Sequence, residues 1–319
     1  MKTQSPEKRE NTGFRNSIGV FMQKPLILIA KFILFFFKII PERASLAIGK
    51  AAGLFWFSII RFRRSLVIDN LTQAFKNEKS REEILAIARK NFIHYGLYFV
   101  ELTRIPLLTE ETLHKKVIFT GLEHVKDALK HGKGAIILCG HYGNWDVMAV
   151  AQAMEGMHAH VITKNIKNKA VDTIWNDIRK SKDVSFLPNK GTGFSILKLL
   201  KKNETIALIF DQHRPGSMGI RVNFFGRPAR TMKAAAMLAL KTGCVVIPVN
   251  NWRDEKNIHH VEVGEPIPFI QKENEEETIR ENTQRYNDVL ESYVRQHPEQ
   301  WLWIHRRWKE AINIKENEL

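Results

Sequence analysis

The chain has 319 residues, 44% of them apolar, which is enough for a sizeable core and speaks against global disorder; the length accommodates one large domain plus an accessory segment. A formal net charge of +15 calls for an anionic partner, with nucleic acid, an anionic membrane surface, a phosphorylated lipid and an acidic carrier protein all qualifying. The two cysteines, Cys139 and Cys244, each sit inside an apolar strand-like run and read as reduced core residues of a cytosol-facing protein, a disulfide being the less favoured reading.

Residues 1–24 form a polar, basic tail carrying Lys2, Lys8, Arg9, Arg15 and Lys24. Residues 25–41 are apolar but slightly short of the roughly 20 residues that span a bilayer. Lys31 and Lys38 share one helix face, as in an interfacial helix or a short span whose lysines snorkel. The same lysines, with no small-residue cleavage site behind them, argue against a signal peptide. A second apolar stretch, residues 46–62, carries Trp56 and runs into Arg61, Phe62, Arg63 and Arg64. Aromatic residues beside a basic cluster are what a membrane interface selects. Residues 25–64 are therefore read as a membrane anchor or interfacial helices, with two buried helices of a soluble core as the alternative.

Residues 65–319 form the catalytic domain in this reading. Residues 65–115 look helical, with Ile84, Leu85, Ile87, Ala88 and Phe92 on one apolar face. Strands are predicted at 117–120, 135–139, 160–163, 185–188, 205–210, 244–249 and 261–263, with a last one near Pro266. Helices are predicted at 124–131, 170–180, 194–202, 231–242 and 273–295. Alternating strands and helices point to an α/β fold with a mixed, largely parallel sheet flanked by helices.

The centre of the chain is the stretch 134–149. An apolar strand runs into Gly140, His141, Tyr142, Gly143, Asn144, Trp145 and Asp146, and a helix follows. The glycines permit a tight turn, and Asn144 stands where a helix N-cap belongs. In one regular helix His141 and Asp146 would point about 140° apart, but across a Gly-rich corner they can meet. That suits a His–carboxylate dyad in which Asp146 fixes the imidazole and His141 takes a proton from an attacking hydroxyl; a turn histidine beside a first-turn carboxylate is the plainer alternative. No elbow-type serine nucleophile is present, and His259-His260 lack ligand partners at metal-binding spacing.

These blocks together resemble the late acyltransferases of lipid A biosynthesis. The likeness covers residues 25–310 and rests on Arg64, Asn70, Leu71 and Phe75; on Gly121 to His124 and Gly132 to Gly134; and on the His141 to Asp146 corner. Downstream it continues in Asp211-Gln212, Phe224-Phe225-Gly226, Thr231, Ala235, Thr242-Gly243, and Pro298 to Trp301 followed by His305 to Lys309. The resemblance implies a glycerolipid acyltransferase-like fold with an N-terminal membrane-associated helix. It also implies transfer of a fatty acyl chain from acyl carrier protein to a hydroxyl of a lipid A precursor, at the cytoplasmic face of the inner membrane, with no metal or organic cofactor. A thioester is electrophilic enough that the enzyme need only deprotonate and orient the acceptor and stabilise the oxyanion.

Within that scheme His141 is the expected general base and Asp146 its orienter. Arg179 is the candidate oxyanion donor, with a solvated helix-end cation as the alternative. Asp211 and Gln212 follow a strand, at the sheet edge where ligands bind in open α/β folds, and are expected to position substrate or support the dyad. Arg214 is a candidate contact to lipid phosphates or to an acidic carrier, and Asn144 a candidate substrate contact. Arg306 and Arg307, between Trp301, Trp303 and Trp308, make a basic aromatic segment fit for a membrane interface or a phosphate, with core tryptophans and solvated arginines as the alternative. Two competing readings remain open. One is an acyltransferase for another glycolipid, supplied by acyl-CoA; the other is a non-enzymatic basic protein binding a membrane or, less favoured, nucleic acid.

Overall fold

The computed structural model describes residues 23–163, 166, 168–182, 184–188 and 191–309, so the basic tail lies outside the described residues except at its end. The chain starts with α1 (Gln23–Ile39) and α2 (Glu42–Phe55), the latter prolonged by a π-helical turn, Trp56–Ile60. Next come α3 (Arg64–Phe75), α4 (Arg81–Arg104) and α5 (Glu110–Lys116). The α/β part follows as β1 (Val117–Thr120), α6 (Leu122–Leu129), β2 (Ala135–Cys139), α7 (Trp145–Met154), β3 (Ala159–Thr163) and α8 (Lys169–Lys180). It continues with β4 (Ser185–Pro188), α9 (Gly193–Lys201), β5 (Thr205–Ile209), β6 (Gly219–Phe224), β7 (Arg227–Met232), α10 (Ala234–Thr242), β8 (Val245–Arg253), β9 (His259–Val263) and α11 (Glu275–Gln296).

Among the described residues the main sheet has seven strands in the order β1-β9-β8-β2-β5-β3-β4, with β8–β9 its one antiparallel pair. All five residues of β2 are buried, as a central strand covered on both faces requires. Their side chains alternate between two cores. Ile136 and Leu138 join the core under α3, α9, α10 and the C-terminal tryptophans, while Ala135, Ile137 and Cys139 join the one under α6, α7 and α8. Cys139 and Cys244 are both free and buried.

Two sequence expectations change. No strand forms near Pro266, so β9, paired between β1 and β8, is the last strand of the sheet in chain order. The segment before the alanine-rich helix, expected to be helical from residue 231, is instead the second strand of a separate hairpin, β6–β7. Its turn is Phe225-Gly226, both with positive φ (53° and 65°), the geometry that two-residue hairpins favour. The sequence hid it because Arg227 and Arg230 stand three residues apart, as a helix period allows, and Thr231 and Met232 lead straight into the alanine-rich helix.

Helix α4 is the scaffold for the site. Ser80 caps it in a reciprocal box with Glu83, and its long apolar face packs into the core. Its polar interior residues grip the C-terminal segment: Asn91 Nδ2 donates to the carbonyls of Glu299 and Trp301, both at 2.8 Å. Asn70 of α3 does the same for Trp303 (2.8 Å) and His305 (3.0 Å). Helix α2 crosses α4 through glycines; a Cβ on Gly96 would stand 2.1 Å from the Gly49 carbonyl oxygen, and one on Gly53 2.3 Å from that of Phe92. One face of α2 is thus closed against the body. The other faces of α1 and α2 expose Leu28, Phe32, Phe35, Phe55, Ile59, Ile60 and Phe62. Among the described residues, the run Glu42–Ile60 is long and apolar enough to cross a membrane by length and composition.

The crossing carries a direct prediction. Gly96→Ala forces α2 and α4 apart and should cost about 1–3 kcal/mol, read as a lower denaturant midpoint. An unchanged midpoint would mean that the helices are not in backbone contact.

Candidate active site

Strands β2 and β5 run parallel in a register that pairs Ala135 with Thr205 and Cys139 with Ile209. His141 and Asp211 each lie two residues beyond that last pair, so they leave the sheet side by side at its carboxyl edge. Asp211 Oδ1 meets His141 Nδ1 at 2.7 Å, and its Oδ2 accepts the His141 backbone N–H at 2.8 Å. The indole of Trp301 donates to the same Oδ2 at 2.8 Å. Asp211 is 1% exposed. Burial alone would raise its carboxyl, but the adjacent imidazole and the hydrogen bonds from His141 and Trp301 outweigh it and hold the group at about 2. A carboxylate only accepts, so Nδ1 carries the proton and Nε2 of the neutral ring keeps its lone pair. The Gln212 amide nitrogen lies 3.4 Å from that Nε2.

Asp146 lies in a second cluster. Its Oδ1 accepts from Arg179 Nε at 2.5 Å and its Oδ2 from the Tyr98 hydroxyl. The Arg179 guanidinium also sits over the rings of Trp175 and Phe186, at 5.3 and 5.4 Å. Burial and the Asp146 carboxylate push the Tyr98 phenol well above its usual range, so it stays a donor. Trp145 joins the two clusters, edge-on to His141 at 5.0 Å and tilted over Tyr98 at 4.4 Å.

The turn between them is held from behind. Asn144 Oδ1 caps Val147 N–H at 3.1 Å, as expected, while its Nδ2 donates to Glu101 Oε2 at 2.8 Å. Glu101 Oε1 accepts from Arg253 at 2.5 Å, and Arg253 donates to His94 Nδ1 at 3.0 Å. Gly143 has a φ of +57°, and a Cβ there would stand 2.2 Å from the Asn251 carbonyl oxygen, so only glycine fits. On the far side, the Gly143 N–H donates to the Gln300 carbonyl and the Leu302 N–H to that of His141, both at 3.0 Å.

A family profile described as bacterial lipid A biosynthesis acyltransferase matches residues 21–310. The chain belongs to that family. It is 27% identical over 163 residues to the phosphatidylinositol mannoside acyltransferase of Mycobacterium tuberculosis, covering 50% of this chain and 52% of the relative. The chain thus spans about half the length of the first curated relatives it matches. It is 22% identical to the lipid A biosynthesis acyltransferase of Haemophilus influenzae, over 87% of this chain and 86% of that one. With the lipid A biosynthesis lauroyltransferase of Escherichia coli it shares 23% identity, over 85% and 87% respectively.

Against the family's motif blocks, the structure redistributes the expected site residues. The carboxylate that His141 touches is Asp211, not Asp146, because parallel pairing of β2 and β5 brings Asp211 to the ring while α7 turns Asp146 toward Arg179. Asn144 is 1% exposed and spends both ends of its amide on Val147 and Glu101, so it has no surface to offer a substrate. Arg307 is fully buried, bonding the Arg230 carbonyl at 2.8 Å and the Thr231 and Asn287 side chains beneath Phe224, so it braces the C-terminal block instead of facing a ligand. Burial lowers its guanidinium to about 10. Arg214, Gln212 and Arg306 are exposed. Tyr98, Glu101, His94 and Arg253 were given no role in the sequence, and Trp301 was placed there only within the C-terminal block. Tyr98 and His94 gave a signal, as polar aromatic residues on the buried face of an otherwise apolar helix.

Two imidazoles here set a pH dependence. Burial, with Arg253 alongside, lowers His94 to about 3, and burial lowers His305 to about 4. In the unfolded chain both take up protons near their ordinary value of about 6.5. Between about pH 6.5 and pH 4 the unfolded state therefore binds more protons, and stability falls as pH drops, by up to about 1.4 kcal/mol per pH unit for each imidazole. Denaturant midpoints at about pH 7 and pH 5 should reveal the loss, and His94→Gln should remove roughly half of it, leaving the part due to His305. A flat profile in the unmutated protein would mean that both rings protonate inside the fold.

Proposed function

We propose that this protein transfers a fatty acyl chain from an acyl carrier protein thioester to a hydroxyl of a lipid A precursor, at the cytoplasmic face of the inner membrane. The observation that carries the reading is the double grip of Asp211 on His141, which leaves Nε2, beside the Gln212 amide, as the basic nitrogen of a side chain 20% exposed. The acceptor O–H gives its proton to Nε2 as its oxygen attacks the thioester carbonyl. The resulting imidazolium, stabilised by Asp211, then returns the proton to the departing thiolate. Arg179 is read as the donor to the tetrahedral oxyanion, held in place by Asp146 and Tyr98 and by the aromatic faces beneath it. Gln212 is read as orienting the acceptor beside Nε2. Arg214 and Arg306 are assigned to substrate phosphates or to the acidic surface of the carrier.

Membrane attachment is assigned to α1 and α2. Their outward apolar side chains run into Arg61, Phe62, Arg63 and Arg64, a composition that suits the boundary between acyl chains and anionic headgroups. A second reading keeps the same chemistry with another glycolipid and an acyl-CoA donor; the 27% identity to a phosphatidylinositol mannoside acyltransferase favours weighing it.

The deciding experiment incubates detergent-solubilised protein with a lipid A precursor and acyl carrier thioesters, scoring products by mass. A gain of one acyl chain that disappears in His141→Ala is the expected result. Asp211→Asn keeps the shape but not the charge, and should lower kcat by about 10³–10⁴-fold. Products formed only from acyl-CoA and another glycolipid would establish the second reading, and undiminished transfer by His141→Ala would remove the histidine from the mechanism.

A further inference from the structure

Behind the turn that follows His141 lies a buried ion pair with no place in the chemistry above. Glu101 of α4 and Arg253 of β8 are joined at 2.5 Å, with side chains 11% and 5% exposed. Each reaches one of two consecutive residues of the turn. Glu101 Oε2 accepts from the side chain of Asn144 at 2.8 Å. Arg253 reaches Gly143 through His94: a guanidinium only donates, so His94 Nδ1 accepts from it, and His94 Nε2–H is left to donate to the Gly143 carbonyl at 3.1 Å. The arginine thus sets the tautomer of the histidine that holds the glycine. His259 stands 3.4 Å from Glu101 on the remaining side.

The Gly143–Asn144 segment links two half-sites. Upstream, His141 is bound to Asp211 through both backbone and ring. Downstream, Asn144 starts α7, whose first turn carries Asp146 and, through it, Arg179. A change in direction at this point alters the distance from base to oxyanion donor without touching either. Buried ion pairs are poor stabilisers compared with apolar packing, so one that ends on this turn is better explained by geometry than by stability.

We propose that Glu101, Arg253 and His94 form a positioning triad that holds the Gly143–Asn144 segment, so that the His141–Asp211 pair and the Asp146–Arg179 pair face one reacting carbonyl. The inference rests on reading His141 as the base. None of the three touches substrate; they act through the turn.

The test uses the full-length protein in the acyl-transfer assay, with variants confirmed as folded by circular dichroism and thermal melts. His94→Leu removes the donor to Gly143 and should lower kcat about 30-fold or more, with KM for both substrates within about threefold, because misplacement costs rate and not binding. His94→Gln presents an amide N–H where Nε2 stood and should recover to within about fivefold of the unmutated protein. Glu101→Gln with Arg253→Gln removes both charges together, leaving no lone buried ion, and should match His94→Leu in kcat. Full activity in folded His94→Leu, or a loss confined to KM, would overturn the triad. Acyl transfer that survives His141→Ala would instead overturn the reading of the base, and the triad's role with it.

Discussion

The structure depends on one buried carboxylate. Asp211 binds the backbone and ring of His141 and the indole of Trp301, so a single side chain ties β2, β5 and the C-terminal block together. Hydrogen bonds to a charged group are worth about 1.5–3 kcal/mol each, and here they also offset the cost of burying the charge. Burial by itself would push Asp211 toward its neutral form; the imidazole of His141 opposes it most, and the His141 backbone N–H and the Trp301 indole add to that.

That dependence explains why the C-terminal segment is so tightly held although its described residues after α11 form little more than the 3-10 turn Pro298–Gln300. Its carbonyls are taken up by Asn70 and Asn91, its Trp301 by Asp211, and its Arg307 by the β7 backbone. Tyr142 and Trp301 form an isolated antiparallel bridge, so the segment also acts as a short strand against the turn. The buried tryptophans that resembled an interfacial motif in the sequence are the packing for this bridge.

The family is one of acyltransferases, and the residues proposed for its chemistry stand on a strand-to-helix corner. The fold divides them differently from the sequence pattern, in which His141 and Asp146 look like one pair. In the fold there are two pairs, His141–Asp211 and Asp146–Arg179, spanned by Trp145 and Tyr98. Separate pairs suit a reaction that needs a base and an oxyanion donor at different points around one carbonyl.

Local features were legible from the residues alone. The apolar run of β2, the glycines after it and the Asn144 cap follow from backbone sterics and short-range hydrogen bonding, and β1 and β4 fall at their expected residues. The β6–β7 hairpin did not, because β7 lacks a clear two-residue pattern and its last residues run straight into the alanine-rich helix. Contacts distant in sequence were decided only by tertiary structure. Asp211 is 70 residues from His141, Arg253 is 152 from Glu101 and Trp301 is 90 from Asp211. A strand's own residues do not state which neighbour it will pair with or in what register. That is set by how two cores close on the faces of the sheet, and the register of β2 with β5 is what made Asp211 the partner of His141.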